Sequence, residues 1–376
     1  MNEREVAEIR RRFRPERNGF SHIRGCCVNE LGHIVSQIDQ SLAMLSQDET
    51  ELFLGVLRKT LSGTLGKNLV DIEFETQQVA YGEEHKLLMT LRDTALKDDA
   101  AVQAFFEKII ASVHMEGSYL ILLVHDAYDV PYRTRGGEKL DGASDQVYSY
   151  ILCSICPIAE TKPALSYYMR ENEFHNRQMN WLVSAPVLGF LFPAFDERST
   201  NLYNALCYTK DAAQSHDEFV DAVFRASAPM PAAAQKENFQ TVLGESLEDD
   251  CSYEVVQAVH GQLREMIAVH KENREREPLA LSRSQVTGVL RSCGVPEERA
   301  EVFSDKFGHT FGEDAEVSPR NLIDTRQMEL KTPDVVIRVN PDRGDLIKTQ
   351  MIGGSKYILI RADDGVEVNG VEITIN

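Results

Sequence analysis

The stretch Tyr119–Arg133, YLILLVHDAYDVPYR, carries five apolar residues, Leu120–Val124, that run directly into His125, Asp126, Tyr128, Asp129 and Arg133. A short continuous apolar run closed by turn chemistry predicts a strand buried on both faces, here over Ser118–Asp126. In open α/β sheets the ligand crevice lies at strand ends, so His125, Asp126, Asp129 and Arg133 form the first candidate site. Asp126 with a nearby histidine would serve as an acid/base pair. Asp126 with Asp129 would offer two carboxylates to a divalent cation. The competing reading is local: Asp and His cap turns at a strand end, and Arg133 pairs with a carboxylate.

Working outward, the flanking segments alternate between helical and extended periods. On the N-terminal side, residues 2–14 suit a short helix with Val6, Ile9 and Phe13 on one face. Ser21–Val28 and His33–Ile38 read as strands around a turn at Asn29–Gly32. Gln47–Leu61 is a predicted helix, because Ser46 and Glu49 match a capping box. Val70–Val79 alternates like a half-buried strand, and Glu83–Thr94 and Ala100–Val113 are amphipathic helices. On the C-terminal side, a Gly- and Asp-rich loop is expected over Thr134–Ser144. Strands follow at Gln146–Ile158, Trp181–Phe192 and Leu202–Tyr208, then a helix at Ser215–Phe224.

The composition changes at SAPMPAAA, residues 227–234, which marks a domain boundary. Tyr253–Asn273 is a long amphipathic helix, and Ser284–Arg291 and Glu297–Phe307 form a helix pair. Val335–Val339, Leu346–Ile352, Lys356–Ile360 and Val371–Ile375 are short strands between turns. The expected fold class is α+β. It comprises a mixed-sheet domain over 1–228, a helical region over 229–310 and a β-rich module over 311–376.

The bulk numbers restrict the function classes. The chain has 376 residues, is 43% hydrophobic and carries a net charge of −19. Such an acidic surface repels phosphate backbones, so nucleic-acid binding requires a local basic patch. Arg10, Arg11, Arg12, Arg14, Arg17 and Arg24 supply the one clear patch. They would contact nucleic acid or an acidic partner, or they would pair with the protein's own carboxylates. No apolar run approaches the roughly 20 residues that span a bilayer, and MNEREVAEIRRRF lacks a signal-peptide core. A cytoplasmic protein is expected. The seven cysteines are scattered, which predicts buried thiols and no disulfide framework.

Four further segments resemble motifs. Ser62–Asn68, SGTLGKN, has glycines and a lysine but not the P-loop spacing, and it reads as a helix C-cap. Cys153 and Cys156 form a C-x-x-C inside an apolar strand, where residues three apart face opposite ways, so core packing is expected. Glu173 and His175 offer two metal ligands, too few for a site, so no metal is expected. Arg198, in the polar loop 196–201, is suited to an anion or to a surface loop. The helix pair near Gly294 resembles a helix-turn-helix, but its second helix begins PEERAE, too acidic to enter a phosphate-walled groove.

Several phrases together resemble a domain-of-unknown-function family of Firmicutes, number 4317. They are RRRFRPERNGFSHIRGC at 10–26, LSGTLGKNLVDIEF at 61–74, EEHKLLMTLRDTALKDDAAVQAFF at 83–106, GSYLILLVHDAYDVPYR at 117–133, YILCSICP at 150–157 and FLFPAFDERSTNLYNALCYT at 190–209. The resemblance implies a bacterial cytosolic protein and brings no activity, cofactor or catalytic residue. The order of elements is also similar to that of NdpA-type nucleoid-associated proteins, a likeness of layout only. Two functional readings follow. One is a non-enzymatic binding or scaffold protein that contacts protein or nucleic acid through Arg10, Arg11, Arg12 and Arg14. The other is an enzyme or small-ligand-binding protein with its site at the end of the 119–126 strand.

Overall fold

A computed structural model describes residues 1–17, 19–133, 139–177, 180–273, 275, 277–363 and 365–374. Part of the loop expected over Thr134–Ser144 lies outside them, as do Arg274, Arg276, Asp364 and Ile375 within other expected segments. The chain divides into two compact units, Met1–Ala232 and Ala233–Asn376. The architecture is α+β.

The first unit contains strands β1 (His22–Val28), β2 (Ile34–Ser41), β3 (Leu69–Glu73), β4 (Tyr119–Arg133), β5 (Lys139–Glu160), β6 (Ala164–Tyr168), β7 (Glu173–Arg177), β8 (Trp181–Val183), β9 (Leu188–Phe192), β10 (Ala194–Asp196), β11 (Ser199–Asn201) and β12 (Asn204–Thr209). Its helices are α1 (Glu3–Arg10), α2 (Gln47–Lys59), α3 (Thr76–Tyr81), α4 (Glu83–Asp93), α5 (Asp99–Ser112) and α6 (Asp217–Phe224). The main sheet has the order β2-β1-β4-β5-β9-β12-β3, with β8 on the far end of β5. Every pairing in it is antiparallel.

Both faces of this sheet are covered, which is why Leu120–Val124 is apolar throughout. Alternate residues of a strand point to opposite sides. Ile121 and Leu123 join Cys153, Ile155 and Phe190 in a core closed by α4, α5 and α6 through Leu88, Leu91, Phe105, Ile109, Phe219 and Val223. Leu120, Leu122 and Val124 join Leu152 and Leu191 in a second core, closed by Val6 and Ile9 of α1 and Leu54 and Leu57 of α2. Each fully buried leucine contributes about 1.5–3 kcal/mol relative to exposure. The capping boxes of Asn2 with Glu5 and Ser46 with Glu49 start the two helices of that second face.

Several sequence expectations change here. The strand does not stop at Asp126. It continues to Arg133 and pairs with β5 from Tyr119↔Pro157 to Val130↔Gln146, because β5 supplies partners along the whole polar stretch. Lys139–Ser144, expected as loop, belongs to β5. The Val70–Val79 segment ends as strand at Glu73 and turns into α3. Trp181–Phe192 divides into β8 and β9. Of the polar stretches, Glu173–Arg177 pairs with Ala164–Tyr168 in the hairpin β6–β7, and the loop 196–201 lies within the hairpin β10–β11. The sheet is antiparallel, so the crevice rule for open parallel sheets does not apply to it.

The second unit contains α7 (Ala232–Leu247), α8 (Tyr253–Asn273), β13 (Leu281–Ser282), α9 (Arg283–Ser292), α10 (Glu297–Phe311), β14 (Glu316–Val317) and α11 (Pro319–Leu322). Phe239, Leu243, Val259, Leu263, Leu290, Phe303 and Phe307 form its core. Three antiparallel hairpins follow, β15 (Met328–Lys331) with β16 (Val336–Val339), β17 (Ile347–Ile352) with β18 (Ser355–Ile360), and β19 (Val366–Val368) with β20 (Val371–Ile373). Among the described residues no helix is long and apolar enough to cross a membrane.

Candidate functional site

The arginines expected to form one patch do not stay together: Arg10, Arg11 and Arg14 share a groove, Arg12 turns to Asp126, and Arg24 pairs with Asp99. Arg10 and Arg11 lie at the C-terminal end of α1, and Arg14 lies just beyond it. Packing of α1 and α2 on the same sheet face brings Arg58, from the last turn of α2, to the same place. A groove of about 450 Å3 is lined by Ala7, Arg10, Arg11, Arg14, Arg58 and Ser62. Among the described residues no carboxylate lines it. Among the described residues none of these four guanidinium groups makes an ion pair.

The local sequence explains the absence of pairing. A helix places a partner acid three or four residues before an arginine. Those positions hold Val6 and Ala7 before Arg10, and Leu54 and Gly55 before Arg58. Glu8, three before Arg11, is turned inward to Tyr128 and Arg198. Arginines at a helix C-terminus also meet a negative dipole end of about half a charge. Two such ends offset about one of the four positive charges, so a cationic excess remains.

Arg12 turns the other way. Its Nε and Nη2 donate to the two oxygens of Asp126 at 3.0 and 3.2 Å. Tyr150 donates its hydroxyl to Asp126 Oδ2 at 2.9 Å, and the Arg12 guanidinium stands 5.0 Å from the centre of the Tyr128 ring. Tyr128 in turn donates to Glu8 Oε1 at 2.9 Å, and Arg198 Nη2 donates to the same oxygen at 3.1 Å. Burial pulls the Arg12 pKa down, and the Asp126 contacts outweigh it and hold it above its ordinary value. Burial, then Asp126, pushes the Tyr150 hydroxyl well above its usual range. Burial, reinforced by the bond to Glu8, pushes Tyr128 to about 12. The Asp126 side chain is fully buried, and its oxygens are already engaged. Gly19 lies directly over the pair, and a Cβ at that position would overlap both Arg12 and Asp126.

Neighbours in a strand face opposite ways, so His125 and Asp126 are not brought together as an acid/base pair. His125 Nε2 instead lies 2.8 Å from Ser149 Oγ, and burial lowers its pKa. Asp129 is exposed, while Asp126 is buried on the other side of β4, so the two carboxylates do not converge on a cation. The side chain of Arg133 lies outside the described residues.

The other motifs resolve individually. Gly63 has φ +126, and Ser62–Asn68 turns from α2 into β3. Cys153 and Cys156 lie in different cores on opposite sides of β5. Burial holds Cys153 well above its ordinary pKa and pushes Cys156 to about 12. His175 pairs with Glu171 and Glu173 at 3.1 and 3.4 Å. Among the described residues no three His, Cys, Asp or Glu side chains are grouped to hold a metal ion. Arg24 pairs with Asp99 at 2.7 Å. Sequence reasoning missed Arg58, whose proximity to Arg14 is created only by helix packing. It also missed Gly19, for which no local signal exists.

A family model described as a domain of unknown function, DUF4317, matches residues 1–371. No curated protein matches the chain.

Proposed function

We propose that this chain, which belongs to the DUF4317 family, is a non-enzymatic binding protein whose arginine groove takes the phosphate backbone of a single nucleic-acid strand. The observation that carries this reading is the convergence of Arg10, Arg11, Arg14 and Arg58 on one groove without a carboxylate. Guanidinium groups recognise phosphate through paired N–H donors, and they remain charged at any physiological pH. The net charge of −19 does not oppose this at cellular salt, where charges beyond about 8 Å are screened. It does confine binding to the groove and disfavour a broad duplex footprint. The enzymatic alternative at Asp126 has weaker support, because Arg12 and Tyr150 already engage its carboxylate.

The test is a binding titration of the full chain with a labelled single-stranded oligonucleotide across salt concentrations. With up to four phosphates neutralised, the slope of log K against log salt is expected near about −2 to −3. A variant with Arg10, Arg11, Arg14 and Arg58 replaced by glutamine should lose that slope. Binding that is independent of salt, or unchanged in the variant, would overturn the proposal. An acidic protein partner would then be the occupant to pursue.

A further inference from the structure

A second cavity, of about 690 Å3, lies within the second unit, inside the size range of small-molecule sites. We propose that it is a binding site for a flat, uncharged heterocycle of the nucleobase class. This inference does not rest on the arginine groove.

The charge of the lining sets the charge of the ligand. Lys236 on α7 stands 3.9 Å from Asp324, and Glu329 on β15 accepts from Arg338 Nε at 2.9 Å. Each charged group lining the cavity thus has a partner of opposite sign, and no charge is left over for an ionic ligand. An ionic ligand would find no unpaired charge of opposite sign in the lining.

The hydrogen-bonding groups set its edge. Gln240, Gln257, Gln327 and His260 line the cavity. Among the described residues their side-chain nitrogens and oxygens make no hydrogen bonds. A glutamine amide presents a donor beside an acceptor, as does a neutral imidazole across its ring. That pattern complements the adjoining donor and acceptor on the edge of a nucleobase. Burial, with Arg264 and Lys236 nearby, lowers the His260 pKa to about 4, which keeps the ring neutral at physiological pH. Val256, Met328 and Leu330 supply apolar surface for the faces of a flat ring, and a methionine thioether packs favourably on aromatic rings.

The experiment titrates the full chain with adenosine, guanosine, cytidine and uridine, their 5′-monophosphates, and ribose. At least one nucleoside is expected to bind saturably while ribose does not, and its monophosphate should bind no more tightly. Replacing Gln240 and His260 by alanine should weaken binding at least about tenfold. The four-arginine variant should bind the nucleoside as the wild type does, which separates failure of this site from failure of the groove. A wild-type measurement runs beside it: Cys251 is exposed and lines the cavity, so saturating nucleoside should slow its alkylation. Three outcomes overturn the proposal. They are no nucleoside binding up to about 10 mM, tighter binding of the monophosphate, and alkylation of Cys251 unaffected by nucleoside.

Discussion

Arg12 and Asp126, 114 residues apart in the chain, form a two-point ion pair that anchors the segment after α1 to the middle of β4. Asp126 has no side-chain exposure and Arg12 only 19%, so Asp126 has no water to fall back on once Arg12 is removed, and Arg12 has little once Asp126 is. Breaking such a pair costs about 3–5 kcal/mol. Arg12→Ala and Asp126→Ala should each destabilise the protein by that order in urea unfolding. The two losses should be strongly non-additive in the double variant. Tyr150→Phe should cost less, about 1.5–3 kcal/mol, since it removes one hydrogen bond to a charged acceptor.

Arg58 should behave in the opposite way. It is exposed and lies among like charges with no acid beside it. Arg58→Ala is expected to change stability by no more than about 0.5 kcal/mol. At low salt the change should favour the variant, because repulsion is relieved, and the gain should disappear as salt is added. A large destabilisation that ignores salt would mean that Arg58 holds the fold.

The thiols provide a third test. Cys26, Cys27, Cys153, Cys156 and Cys207 are buried, and Cys251 is exposed. Burial pushes Cys26, Cys156 and Cys207 to about 12, which removes the reactive thiolate at neutral pH. Iodoacetamide followed by peptide mass spectrometry should label Cys251 first and leave those three unmodified until urea is added. No Cys153–Cys156 disulfide should form under mild oxidation, because the strand directs the two sulfurs to opposite faces.

What the sequence made legible was what local periodicity controls. The amphipathic helices α2, α4, α5, α8 and α10 and the covered strand at Leu120–Val124 follow from spacing, and the divergence of Cys153 and Cys156 follows from the two-residue strand repeat, whereas α3 lies in a segment whose alternation reads as strand. What it hid depends on long-range pairing. The extension of β4 through Asp126 to Arg133 required β5 as partner, and turn-forming residues such as Asp129 masked it. The division of the arginines was hidden as well. Arg11 and Arg12 are neighbours in sequence, yet one lines a groove with Arg58 while the other turns to Asp126. The same loss applies to the cavity in the second unit, where Gln240, His260 and Gln327 come from three separate segments.

His260 should make the second unit sensitive to acid in a defined window. Its pKa is 6.5 when unperturbed and about 4 in the folded protein, lowered first by burial and then by Arg264 and Lys236. Above pH 6.5 neither state carries the proton, and folding incurs no penalty. Between 6.5 and about 4 the unfolded chain binds a proton that the folded chain refuses, so stability falls as pH falls. Below about 4 both states are protonated and the loss levels off. For a partly exposed ring the penalty at pH 5 is about 1 kcal/mol after solvent screening. Asp324 and Glu329 line the same cavity, and burial also lowers the pKa of His85, His125 and His216. The comparison is therefore between the wild type and His260→Gln, each unfolded in urea at pH 7.5 and pH 5 under circular dichroism. The wild type should lose more stability than the variant over that interval. Equal losses would mean that His260 takes up its proton in the folded state as freely as in the unfolded one.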